Sequence, residues 1–305
     1  MNFFESTNIH ENSAKMYNNK LNEWISYMPN IYKSLACIIM FPEISMKELQ
    51  SHLKVNTNTN RHIFIVAIMS FIKHKHSELQ LTHEQYSTIR VKWIDINNEN
   101  EQPIIDRRLE NKPTDKQTEK GGSKISFNQI IAKRDELPVG SIERLLICMY
   151  TMIPPARADY FATQIVKDDE VSSEKNYIRV RGNNMECILT DFKTVKTYKK
   201  ITHVFPIELV SELNASLEIK PRNYLFLNAN GDAHTRNSFV LWARRCLSRI
   251  FETDFTLVFF RHSFVTNYMS TVDATTTDGQ IKDISDKLGH SPEMFRAYKW
   301  IKGQD

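Results

Sequence analysis

The chain has no glycine-rich phosphate loop and no dense Asp/Glu cluster, so two common signs of a nucleotide or divalent-metal site are missing. Its four cysteines, Cys37, Cys148, Cys187 and Cys246, stand far apart without CxxC or Cys/His ligand spacing. A reduced, intracellular chain without a structural zinc is the expectation. The opening residues, MNFFESTNIHENSAK, lack a basic stretch followed by an apolar one, which argues against a signal peptide. The longest apolar run, IFIVAIMSFI at 63–72, is too short to span a bilayer, so a soluble chain with no membrane partner is expected. Charge of one sign is also in short supply. Lys and Arg number 40 against 36 Asp and Glu, for a net charge of +4. A field this weak neither requires nor excludes nucleic acid, and any such reading rests on where the charges sit.

What is present is ordinary globular composition, 41% hydrophobic and 25% charged, over a length that suits two domains of roughly 100–200 residues each. Apolar residues recur at helical spacing from Ser13 to about Trp93. Within this region NTNTNRHIFIVAIMSFIKHKH opens on Thr/Asn caps and closes on Lys and His, which suits the dipole of a helix end. Residues 1–96 therefore read as a small helical domain. Residues 97–124, rich in charge, Asn, Pro and Gly, read as a linker or exposed extension. Residues 125–305 form the second domain. There SIERLLICMYTMI predicts a buried helix ending at Pro154-Pro155, and NYIRVRG, MECILTDF and ITHVFPI predict three short strands joined by turns. Helical patterns then return and continue to the end. The expected fold class is mainly α with a small antiparallel sheet.

Several local features carry chemistry. In KLGHSPEMFRAYKW, Gly289 occupies the position of a left-handed helix cap, directing His290, and Ser291-Pro292 starts a new helix that carries Tyr298 about two turns on. His290 and Tyr298 are thereby expected to face one pocket. Upstream, LVFFRHSFVTNYM sets Arg261 and His262 among Leu257, Val258, Phe259, Phe260 and Phe264. A guanidinium buried there is costly without a carboxylate or a ligand phosphate. Arg157 follows Pro154-Pro155 in TMIPPARADYFATQIV, with Asp159 near enough to orient it. The turn KTVKTYKK projects Lys193, Lys196, Lys199 and Lys200, which are either solvated or set along a DNA backbone.

In this order and spacing, PPARADY, DFKT, FRHSFVT and KLGHSPEMFRAY resemble the tyrosine recombinase (phage integrase) family, in a divergent viral or mobile-element form, over about residues 125–305. The N-terminal helical region looks like that family's core-binding domain. Carried over position by position, the resemblance implies Arg157 and Arg261 as the catalytic arginines, Lys193 as the lysine with Lys196 as its rival, His290 as the Gly-His histidine and Tyr298 as the nucleophile. Two departures stand out. Val258 sits where the family usually has a histidine, three residues before the second arginine, and the gap from histidine to tyrosine is one residue short. His262 matches the family's Arg-His pair without obviously replacing the missing histidine.

The resemblance implies a site-specific recombinase or integrase that forms a 3′-phosphotyrosyl intermediate, needs no cofactor or metal, and acts on double-stranded DNA as a homotetramer across two sites. Only KWIKGQD follows Tyr298 in the sequence, which leaves three expectations: the segment coupling protomers is very short, lies elsewhere, or belongs to a longer chain of which this is a part. Arg61, Lys73 and Lys75 would meet phosphates from the N-terminal domain, and His262 and Lys196 are further DNA-contact candidates. Two alternatives remain open: a type IB topoisomerase-like relaxing enzyme, and a catalytically inactive DNA-binding protein of the same fold.

Overall fold

The protein is described by a computed structural model covering residues 1–52, 57–119, 121, 124–167, 170 and 172–300. The chain divides into two compact units, Met1–Leu109 and Glu110–Asp305.

The first unit is helical: α1 (Glu11–Tyr27), α2 (Leu35–Met40), α3 (Pro42–Ser51), α4 (Asn58–Lys75) and α5 (His83–Leu109). Thr57 caps α4 by accepting from the Asn60 amide, and Lys73, His74 and Lys75 fill its last turn, as the dipole favours. Two tryptophans anchor the core. Trp24 and Trp93 meet edge to face at 5.7 Å, and each buried indole N–H finds a carbonyl, Ser45 for Trp24 at 3.2 Å and Ile39 for Trp93 at 3.0 Å.

The stretch read as a linker from residue 97 behaves differently. Residues 97–109 continue α5 through Pro103. Ile104 is buried, and Asn100 is buried with its amide donating to the Asn58 carbonyl at 2.9 Å. Asn97 and Gln102 donate to acids one turn on, Glu101 and Asp106, at 3.0 and 2.7 Å. Composition misled here because polar side chains bonded along a helix resemble solvated ones. Beyond Leu109 the chain forms a short helix, α6 (Asp115–Glu119).

In the second unit α7 (Phe127–Asp135) and α8 (Ile142–Thr151) precede a four-stranded sheet ordered β1 (Gln164–Lys167), β2 (Tyr177–Arg181), β3 (Asn184–Leu189) and β4 (Ile201–Val204). Residues Leu145 to Tyr150 of α8 are all buried, which explains its continuous apolar run. The three expected strands form the antiparallel part, β2 to β3 to β4. The sheet is mixed rather than purely antiparallel, because the unexpected β1 pairs parallel to β2. Between β3 and β4 the chain makes a turn at Lys193 and a short helix, α9 (Val195–Tyr198), instead of a plain hairpin turn.

Five helices follow: α10 (Ile207–Ile219), α11 (Arg236–Phe251), α12 (Leu257–Thr271), α13 (Asp278–Lys287) and α14 (Pro292–Arg296). One apolar core joins α8, the sheet, α10, α11 and the start of α12. A smaller cluster of Val265, Ile281, Leu288 and Phe295 seats α13 and α14 on α12. The architecture is α+β, mainly helical. Among the described residues no helix is long and apolar enough to cross a membrane.

Candidate active site

The Gly-His corner closes as a double hydrogen-bonded helix cap. Leu288 ends α13, Gly289 takes φ +64°, the Gly289 amide donates to the Asp286 carbonyl at 2.9 Å and the His290 amide to the Ser285 carbonyl at 3.0 Å. Ser291 then caps α14 by accepting from the Met294 amide. The next segment departs from expectation. Helix α14 ends at Arg296, so Tyr298 sits in the turn just beyond it and not two turns into a helix. His290 and Tyr298 nevertheless face each other, with ring centroids 4.7 Å apart.

Gly289 is held by geometry as well as conformation. A Cβ there would lie 2.9 Å from the Thr194 hydroxyl oxygen and 3.3 Å from Ile201 Cδ1, and the Thr194 hydroxyl donates to the Gly289 carbonyl at 2.9 Å. The loop carrying Lys193 is thereby tied to the corner carrying His290. Gly289→Ala is expected to lower unfolding free energy by about 1–3 kcal/mol, from the left-handed backbone and the crowded Thr194 together; the denaturant midpoint reads this. Lys193 and Lys196 are both exposed, and Lys193 contributes to the field at His290.

Arg261 lies in α12 and is 2% exposed. Its Nη1 donates to the Pro155 carbonyl at 2.5 Å, and its Nη2 donates to the Leu288 carbonyl at 2.9 Å and lies 2.6 Å from His290 Nε2. The guanidinium sits 5.5 Å from the centre of the Tyr298 ring. Arg144 of α8, by comparison, pairs with Glu212 at 2.6 Å. Among the described residues no carboxylate comes within ion-pair distance of Arg261, and its Nε is a buried donor without a partner. Burial pushes its pKa down to about 10, with Tyr298 opposing and Arg157 adding to the fall. Burial, helped by Arg261, Arg157, His262 and Lys193, depresses His290 to about 2. At neutral pH His290 is therefore an uncharged acceptor for the Arg261 N–H.

Arg157 lies in the loop after α8, half-buried. The expected partnership with Asp159 takes another form. The Asp159 carboxylate accepts from the Arg157 backbone amide at 3.1 Å and from the Arg236 guanidinium at 2.7 Å. Arg236, at the first position of α11, was not singled out from the sequence; the 77 residues between the partners leave no local pattern that signals it. The Arg157 guanidinium makes no ion pair with a described residue. His262 is buried between two rings, stacked on Tyr298 at 4.5 Å and on Trp300 at 3.9 Å, so it supports the tyrosine segment instead of presenting itself to solvent. Val258 is 46% exposed.

The first-unit candidates separate. The Arg61 guanidinium is engaged by Asn58 and by Asn100 on α5, joining α4 to α5. Lys73 is exposed and Lys75 pairs with Glu78 at 2.7 Å. Lys73 stands about 18 Å further along α4 than Arg61.

The second unit thus gathers two arginines, a lysine, a neutral histidine and a tyrosine around the α12 to α14 junction, with positive charge that no described carboxylate neutralises at Arg261. No protein-family profile matches the chain, and no curated protein sequence matches it. Among solved structures, the crystal structure of XerA recombinase is similar over 94% of each chain, with 12% identity and a TM-score of 0.37.

Proposed function

We propose that this protein is a tyrosine-type DNA strand transferase, a site-specific recombinase or integrase that breaks and rejoins DNA through Tyr298. The observation that carries the reading is Arg261: a buried guanidinium with no carboxylate partner among the described residues, held beside Tyr298, His290 and the field of Arg157 and Lys193. A phosphodiester supplies the missing negative charge. Arg261 and Arg157 donate to its nonbridging oxygens as charge grows on them in the transition state. The Tyr298 oxygen forms a bond to phosphorus and passes its proton to water; the bond from phosphorus to the 5′ oxygen breaks, and Lys193 protonates that oxygen. The product is a 3′-phosphotyrosyl link and a free 5′ hydroxyl. Attack by a 5′ hydroxyl of a partner duplex reverses the chemistry and restores Tyr298. His290 accepts from Arg261 and orients it. No step calls on a cofactor.

On this reading the protein acts on double-stranded DNA as a homotetramer on two sites, with residues 1–109 clamping the duplex and exposed Lys73 meeting phosphates. The exposed Val258 favours a second reading, a DNA-binding protein of this fold without catalysis. The two are separated by a pool of nicked duplexes of randomised sequence, which trap a cleaved product. The expected result is a denaturation-resistant adduct whose nucleotide maps to the Tyr298 peptide and is absent in Tyr298→Phe. DNA bound without any adduct would establish the second reading.

A further inference from the structure

The turn that carries Tyr298 has little of its own to hold it. Helix α14 has five residues, too few to persist alone, and beyond it the chain continues in single-turn bonds, the Tyr298 amide to the Phe295 carbonyl at 3.0 Å and the Lys299 amide to the Arg296 carbonyl at 3.1 Å. The carbonyls of Arg296, Tyr298 and Lys299 are also met from elsewhere in the second unit. The Asn111 carboxamide faces the Arg296 and Lys299 carbonyls; two acceptors there require its nitrogen on that side, and with the amide so turned it donates to Arg296 at 3.1 Å and to Lys299 at 3.2 Å. His262 Nδ1 lies 2.8 Å from the Tyr298 carbonyl, a contact that requires the proton on Nδ1 and leaves Nε2 as an acceptor. Gln117 faces that acceptor, its amide nitrogen 3.5 Å from Nε2. The Gln117 oxygen is already used at the start of α6, where it accepts from the Thr114 amide at 2.8 Å, so its nitrogen is the end turned to His262. Three consecutive links therefore run from residues 111–117 to the backbone at 296, 298 and 299.

Asn111 itself takes φ +53°, a conformation that asparagine tolerates better than most residues. It follows by two residues the end of α5 at Leu109, where the first unit ends.

We propose that the segment after α5 is a strap that sets the place of the Tyr298 side chain, with Asn111 and Gln117 as positioning residues, Gln117 acting through His262. The proposal rests on the strand-transfer reading for its consequence but not for its geometry. Asn111→Asp keeps the shape and the backbone preference and removes the donor; Gln117→Glu does the same at the second link. Two measurements on the full chain test them.

Amide exchange of residues 296–300 is expected to quicken about tenfold in either variant, as for the loss of one hydrogen bond. Adduct formation at saturating nicked duplex is expected to slow about 10- to 100-fold, the effect of a small misplacement of a reacting group, while DNA affinity changes less than twofold. Asn111→Gly, which keeps the positive φ and removes the amide, should match Asn111→Asp. Exchange and adduct rate both unchanged in Asn111→Asp and Gln117→Glu would overturn the proposal, as would a loss of DNA affinity that accounts for the whole effect. If the wild-type protein forms no adduct, the strand-transfer reading fails, and exchange alone still decides whether the strap exists.

Discussion

Adduct formation by Arg261→Lys is expected to fall by about 10²- to 10³-fold, the cost of losing one preorganised donor to a developing oxyanion, while the protein remains folded. Arg261→Ala should go further, losing about 3 kcal/mol of stability as well, through the cavity and two carbonyls left without donors. The shape of the group decides the effect. The guanidinium is a planar fork, and in this site its prongs reach Pro155 in the loop after α8, Leu288 at the end of α13, and His290 beyond the cap. A lysine ammonium retains the charge but cannot span those acceptors and also offer a donor pair to phosphate. Rate of adduct formation at saturating DNA, with a denaturant midpoint for each variant, separates the two effects. An Arg261→Lys protein cleaving at the wild-type rate would show that charge alone suffices and that the fork geometry is structural.

The same residue shows where sequence reasoning stops. That Arg261 is buried and costly was legible from the Phe and Leu around it, and that it lacks a carboxylate was one of two possibilities the sequence left open. The Leu288-Gly289-His290 corner was legible because a helix cap is a local structure, specified by a glycine and the turns on either side. The mainly helical class and the three-stranded meander followed from periodicity for the same reason. Non-local partners left no such trace. Arg236 reaches Asp159 from 77 positions away, and β1 is four residues that become a strand only by pairing parallel to β2. Asn111 sits in a stretch whose composition suggested a linker, yet it meets the backbone on either side of Tyr298. Polar residues read as solvated were bonded, and nothing in their order distinguishes the two.

Stability is expected to fall as pH drops from about 6.5, well before ordinary carboxylates titrate, and three buried histidines account for it: His203, His290 and His234, the last lowered by burial with the Leu227 backbone opposing. His203 on β4 is 3% exposed, with neither ring nitrogen bonded to a described residue. Burial, with Lys287 and Arg261 adding to it, lowers its pKa to about 4; His290 is lowered to about 2. The folded protein thus refuses protons that the unfolded chain, with histidines near 6.5, accepts. Above 6.5 both states are neutral at these positions and the histidines contribute nothing to the pH dependence. Below it His203 and His290 each add a slope of about 1.4 kcal/mol per pH unit, ending near pH 4 for His203 and continuing toward 2 for His290; His234 adds in the same direction. Between pH 6 and 5 the depressed carboxylates, such as Asp135, remain ionised in both states, so this window isolates the histidines. Urea midpoints across it should show His203→Leu losing about a third to a half of the wild-type slope while stability at pH 7 holds or rises, since the substitution removes a buried polar ring without partners. An unchanged slope in His203→Leu would mean that the ring is protonated, or hydrated, in the folded state. The same depression makes a prediction for chemistry: with His290 neutral throughout, the rate of adduct formation should show no inflection near pH 6.5 that His290→Gln removes.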